Sequence, residues 1–95
     1  MSVVVLAGHL ICANGDDAAV VRQQLNRHVE LTRAEEGCLH FDVEPTQDPL
    51  VWTVSERFVD QAAFDAHQKR VRSSEWGQAT ADIQRDYMII TVGGR

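Results

Sequence analysis

Apolar and polar residues alternate along this chain with two different periods, and the switches between them mark out the elements. Residues 3–12 (VVVLAGHLIC) are β-branched and apolar, which predicts a buried strand. Asn14-Gly15-Asp16 follows as a turn, with Asp16 the expected N-cap of a helix and Asp17 a second negative charge at its start. Val21, Leu25, His28, Val29 and Thr32 then recur at helical spacing, with Arg22, Gln23, Asn26, Arg27, Glu30 and Arg33 opposite. This predicts a helix over about 17–36, with Gly37 able to take positive φ at its end. From Cys38 to Glu44 the period drops to two: Leu39, Phe41 and Val43 on one side, Cys38, His40, Asp42 and Glu44 on the other. Pro45 to Pro49 (PTQDP) turns the chain into a third strand over 50–58, completing a hairpin. Asp60 is the expected cap of a helix carrying Ala63, Phe64, His67 and Val71. Ser73 or Ser74 caps a short helix with Trp76, Ala79, Thr80 and Ile83 on one side. Residues 87–92 (YMIITV) form the last strand, and Gly93-Gly94-Arg95 a loose tail.

The order β-α-β-β-α-(α)-β is the split βαβ, ferredoxin-like arrangement of the α+β class, with helices on one face of a four-stranded antiparallel sheet. Such a sheet normally has one apolar and one wet face. The first and last strands here are apolar on both: Val4, Leu6, Leu10 and Cys12 oppose Val3, Val5, Ala7 and Ile11, while Met88, Ile90 and Val92 oppose Tyr87 and Ile89. The helices cover only one face. A second copy of the sheet is the simplest cover for the other, so a homodimer is expected.

With 95 residues the chain makes one domain, residues 1–95, and a domain so small gains from association. A net charge of −5, with no run of Lys or Arg longer than two, argues against nucleic acid or an anionic membrane as the main partner. The N-terminus has no secretory-signal pattern, and no apolar stretch is long enough to span a bilayer. Cys12 and Cys38 show neither metal spacing nor a disulfide framework, which fits two thiols in a reducing cytoplasm.

Two stretches carry a family resemblance. Thr32-Arg33-Ala34-Glu35-Glu36-Gly37-Cys38-Leu39 matches a "T-x-x-E-x-G-C" helix end running into the strand at Phe41-Asp42-Val43. The block from Glu56-Arg57-Phe58 through Asp60 to Ala63-Phe64 and His67 matches "E-x-[WF]-x-D-x-x-A-[FL]-x-x-H". With these the chain resembles the antibiotic biosynthesis monooxygenase family of the dimeric α/β-barrel superfamily, over about Val3 to Val92. That superfamily is a scaffold more than an enzyme class. It includes cofactor-free oxygenases acting on phenols and quinols, haem-degrading enzymes, small-metabolite isomerases and members without a known reaction. The resemblance implies a pocket between sheet and helices.

His67 is the leading catalytic candidate: the resemblance aligns it with a pocket position, and an imidazole can take a phenolic proton near neutral pH, leaving an anion able to pass an electron to O₂. The alternative is a structural histidine. Trp76 and Trp52 are candidate substrate walls with one N–H donor each, Phe64 a core residue that can join the wall, and His9 either a pocket residue or a core or dimer histidine. Glu56 requires a partner if buried, expected to be His40 or an arginine across the dimer. His28 and His40 read as structural or solvent-facing. No metal site is expected, because His9, His28, His40 and His67 lie on different elements without ligand spacing, and no cofactor motif is present. The resulting expectation is a cofactor-independent monooxygenase using a small electron-rich substrate and O₂. Its rivals are a non-oxygenase enzyme on the same scaffold, an isomerase or haem-degrading enzyme, and a non-catalytic binding or stress-associated domain.

Overall fold

The computed structural model describes residues 2–93; Gly94 and Arg95 of the expected tail lie outside them. The elements run β1 (Ser2–Ile11), α1 (Gly15–Arg33), β2 (Cys38–Pro45), β3 (Val51–Phe58), α2 (Gln61–Arg72), α3 (Glu75–Ala79) and β4 (Gln84–Gly93). The sheet order is β2-β3-β1-β4 and every pairing is antiparallel, so the ferredoxin-like α+β fold expected from the periodicity is the observed one.

Residues at even positions of β1 face the helices. Val4, Leu6 and Leu10 meet Phe41, Val54 and Phe58 from the neighbouring strands, and Ala18, Val21, Phe64, Trp76 and Ile83 close the core from the helical side. The opposite sheet face carries Val3, Val5, Ala7, His9 and Ile11 beside Met88, Ile90 and Val92, and none of the described residues covers it. Met88 is 71% exposed and Val92 52%, a high value for apolar strand residues.

Helix α1 runs from Gly15 to Arg33 rather than over about 17–36, Gly93 pairs with Ser2 in β4 rather than starting the tail, and three further details differ from the sequence-based expectation. The α1 cap is Asn14, not Asp16: the Asn14 side chain accepts from the Asp17 N–H at 3.0 Å, and the Asp17 carboxylate accepts from the Ala13 N–H at 3.0 Å. The strict alternation of β2 breaks at a bulge between Cys38 and His40, which turns Cys38 toward the core and leaves Leu39 54% exposed. β4 begins at Gln84 rather than Tyr87, because Gln84, Arg85 and Asp86 pair with Ile11, Leu10 and His9 despite their polarity.

Helix α3 is held close to the end of α2 by a glycine. A Cβ on Gly77 would lie 1.9 Å from the Val71 carbonyl oxygen, so no larger residue fits without moving α3. The Ser74 hydroxyl, which accepts from the Gly77 N–H at 3.0 Å, fixes the same turn. Gly77→Ala is therefore expected to destabilise the fold by about 1–3 kcal/mol in urea unfolding. It should also shift the near-ultraviolet signal of the adjacent Trp76.

Candidate active site

Between the sheet and the helices lies a cavity of about 50 Å³ whose polar lining comes from His28, Glu56, His67, Gln68, Arg85 and Tyr87. Phe41, Val54 and Trp76 supply much of the rest. Each polar group arrives for a local reason. Glu56 is one of the alternate residues of β3 that face the helices, with Trp52, Val54 and Phe58. His67 follows Phe64 by three positions on α2, which puts both on the buried stripe. His28 is on the same face of α1 as Val21 and Thr32.

His67 is the best-anchored of them. Its ring is 3% exposed and stands beside Phe58 and Phe41, with centroids 4.8 and 5.8 Å away. Nδ1 lies 2.9 Å from Glu35 Oε1. The other Glu35 oxygen accepts from Arg70 Nε, and Arg70 also donates to the Thr32 hydroxyl at 2.9 Å. Glu35 can only accept here, so a neutral imidazole carries its proton on Nδ1 and keeps a lone pair on Nε2. Burial lowers the His67 pKa, outweighing the opposing pull of Glu35, so the neutral ring prevails above pH 6.5. Nε2 is 3.9 Å from Glu56 Oε1.

Glu56 has an unusual environment for a carboxyl group. It is 6% exposed, and its Oε1 has no hydrogen-bond partner among the described residues. Burial, reinforced by the nearby Glu35 charge, pushes its pKa up to about 7. The group thus exchanges a proton near neutrality while facing the free nitrogen of His67, an arrangement suited to proton transfer. Of the expected partners in this chain, His40 does not reach it. His40 is instead on the open face, with Nε2 3.2 Å from Asp42 Oδ2, and Arg57 points to that face too.

Two further groups complete the wall. His28 stacks on Trp76 with centroids 4.4 Å apart and planes 2° from parallel. Its Nδ1 is buried without a hydrogen-bond partner among the described residues, and burial with the charges around it lowers its pKa to about 3. Arg85 turns away from the cavity chemistry, donating to the Thr80 carbonyl at 2.6 Å, the Ile83 carbonyl at 3.0 Å and the Thr80 hydroxyl at 2.8 Å. Burial raises the Tyr87 phenol to about 12, so it stays protonated.

Of the residues singled out in the sequence, the fold brings His67 and Trp76 together at this cavity. It does not bring His9, Trp52 or Phe64 to it. His9 is exposed on the open face opposite Thr53 and Asp86. Trp52 is buried opposite Leu10 and Pro45, and Phe64 packs edge-on against Phe58 at 5.7 Å. Glu35, His28 and Tyr87 were not expected here. The glutamate of the "T-x-x-E-x-G-C" stretch was the available signal for Glu35, and the helical period that placed His28 with Val21 was the signal for its burial. Among the described residues, no three His, Cys, Asp or Glu side chains converge as a metal site would require.

The Glu56 environment has a measurable cost. Its pKa in the fold, about 7, lies above the ordinary value of 4.5, so the folded state holds a proton that the unfolded chain has lost between those values. Stability from this group therefore falls as pH rises from about 4.5 to about 7. The lowered His28 pKa acts oppositely: its contribution is full above pH 6.5 and is lost as pH falls toward about 3. Glu56→Gln should match the parent protein near pH 4 and exceed it at pH 8 by on the order of 3 kcal/mol in denaturant unfolding. Equal stability at pH 8 would mean that the carboxyl group is solvated.

Comparison with known proteins gives a consistent assignment. The sequence profile of the antibiotic biosynthesis monooxygenase family matches residues 8–79. The chain is similar in structure to protein PA3566 from Pseudomonas aeruginosa, at 23% identity and a TM-score of 0.72, covering 97% of this chain and 93% of that one. It is also similar to Rv0793 from Mycobacterium tuberculosis, at 23% identity and a TM-score of 0.68, covering 100% and 96% of the two chains. A third similar structure, a candidate antibiotic biosynthesis monooxygenase from Deinococcus radiodurans, has 24% identity and a TM-score of 0.68, with 97% and 92% covered. No curated protein matches the sequence. At these identities the structural likeness speaks for the fold, while the match over residues 8–79 speaks for the family. The chain belongs to the antibiotic biosynthesis monooxygenase family.

Proposed function

We propose that this protein is a cofactor-independent monooxygenase acting on a phenol, quinol or related electron-rich compound. The observation that carries the reading is the orientation of His67, whose Nδ1 is bound to Glu35 while Nε2 is directed toward Glu56 at the cavity. In the proposed reaction Nε2 takes the acidic proton of the substrate. The resulting anion gives one electron to O₂, and the substrate radical and superoxide combine into a peroxide. Protonation gives the hydroperoxide, and loss of water leaves a new carbonyl. The substrate thereby exchanges two hydrogens for one oxygen, and the second oxygen leaves as water. His67 and Glu56 supply and accept the protons, and Glu35 holds His67 in the required tautomer.

A second reading has its own support. A cavity of about 50 Å³ with an imidazole beside a carboxyl group of pKa about 7 also suits a proton-shuttling isomerase of a small metabolite. Oxygen consumption separates the two. The monooxygenase reading expects O₂ uptake with a hydroxyanthrone or naphthohydroquinone panel in metal-free buffer. His67→Ala should lower kcat/KM by about 100-fold or more. With the His67 pKa lowered by burial, Nε2 should stay unprotonated through pH 6.5, and loss of rate through its protonation should set in only at more acid pH than for an ordinary imidazole. A folded protein that consumes no O₂ across the panel, yet exchanges substrate protons with D₂O, would favour the isomerase.

The same reading takes the working form to be a homodimer in which two open sheet faces meet. Met88, Ile90 and Val92, with Val3 and Val5 beside them, form an uncovered apolar surface that a second copy would bury. Light scattering at micromolar concentration should give the mass of two chains, and Ile90→Asp should give that of one with its far-ultraviolet spectrum unchanged. A monomeric parent protein would end this part of the proposal. Among the described residues no helix is long and apolar enough to cross a membrane, and two free cysteines fit a reducing cytoplasm as the site of action.

A further inference from the structure

The cavity beside His67 is too small for the substrates its chemistry suits. A dry cavity of about 150 Å³ takes up one benzene, and about 50 Å³ holds little more than a water molecule. Immediately outside it, between α1 and the α2–α3 turn, is a groove of about 190 Å³ reached by Gln24, Leu31 and Ser74. His28 and Trp76 line both spaces, and their stacked rings are the partition between them.

The partition is held unequally. On its other flank His67 borders a wide surface groove of about 700 Å³, but there Glu35, His67 and Arg70 of the wall are tied together by hydrogen bonds, and Arg70 is tied to the buried Thr32 behind them. His28 makes no side-chain hydrogen bond among the described residues, and its Nδ1 is fully buried and orphaned. A buried polar atom left without a partner is costly, so the imidazole gives up little by leaving. What retains it is the indole face of Trp76, edge contact with Phe41 at 5.2 Å and surrounding apolar packing. Rotation of that one side chain would merge the two spaces and expose the Trp76 face. The freed space is flat and of aromatic-ring size, with Glu56 and His67 Nε2 at its inner end.

We infer that His28 occupies the binding place of a planar aromatic ring, and that substrate enters by displacing it and stacking on Trp76, with a hydroxyl group donated to the Glu56–His67 pair. The inference rests on the cavity beside His67 being the substrate site; what it adds is the place and order of binding, a flat ring exchanged for the His28 ring, which saturated or bulky compounds do not fit. Trp76 is a substrate-contacting residue and His28 a gate.

Binding of 2-naphthol, which needs no turnover, tests this separately from oxygenation. Titration followed by ¹H–¹⁵N spectra should move the Trp76 indole N–H resonance, identified by its loss in Trp76→Leu. In the parent protein the His28 ring protons should lose the upfield shift imposed by the indole face as 2-naphthol binds. His28→Ala should bind about tenfold tighter or better, because the cost of opening is removed. His28→Phe, which refills the place with a ring that leaves no polar atom orphaned, should lose the gain and bind no more tightly than the parent, and Trp76→Leu should bind at least tenfold more weakly. The saturated analogue decahydro-2-naphthol should not share the gain in His28→Ala. Should His28→Ala fail to fold, the His28 ring shift in the parent protein still decides. Equal affinity of parent and His28→Ala, a static His28 resonance in the saturated complex, or equal gain for the saturated analogue would each overturn the inference. Naphthol binding with these signatures but no O₂ uptake would leave the gate standing and remove the monooxygenase.

Discussion

The contact between His67 and Glu35 is the joint on which the site depends. Glu35 lies just past α1 and His67 is in the middle of α2, so their hydrogen bond fastens the end of one helix to the flank of the other. Arg70, one turn beyond His67, binds the second Glu35 oxygen and Thr32, which closes the joint from the same helix. Without it, both helices could still lie on the sheet through Val21, Phe64 and Trp76, but the imidazole would have no reason to hold one tautomer. Packing decides that His67 is inside. Glu35 decides which nitrogen is free.

The sheet makes the complementary contribution. Glu56 is in the helix-facing register of β3 between Val54 and Phe58, and the strand cannot turn it outward without moving both of those core residues to the other face. Backbone pairing thus imposes a carboxyl group on an apolar layer. Its elevated pKa is the direct result of that imposition. The site is therefore an instance of local cost held in place by a larger favourable core.

The layout of elements was legible because it depends on periodicity. Two periods and a handful of caps and turns were enough for the topology, and the "E-x-[WF]-x-D-x-x-A-[FL]-x-x-H" block brought His67 forward. Details set by single atoms were not legible. Asn14 and Asp16 are equally good caps on paper, and only the reciprocal pair, Asp17 N–H donating to the Asn14 side chain and Ala13 N–H donating to the Asp17 carboxylate, separates them. Leu39 looked like a core residue because a bulge leaves no mark on an alternating pattern. Partners distant in sequence were hardest. Glu35 and His67 are 32 positions apart, and nothing local announces that they touch. His9 shows the same limit from the other side: its strand was apolar on both faces, so alternation alone could not tell which one holds the pocket.

Arg85 carries a consequence for how charge is handled at this site. It is the cation closest at hand along the cavity wall, yet its guanidinium is committed to two carbonyl oxygens and a hydroxyl group at Thr80 and Ile83. Arg70, by contrast, is paired with the Glu35 carboxylate and donates to the Thr32 hydroxyl. The acceptors of Arg85 are neutral, so they fix its position without cancelling its charge, which is felt at the cavity by Tyr87 and His28. A negative charge arising in the cavity would therefore meet a guanidinium held at a fixed distance, while protons pass between His67 and Glu56.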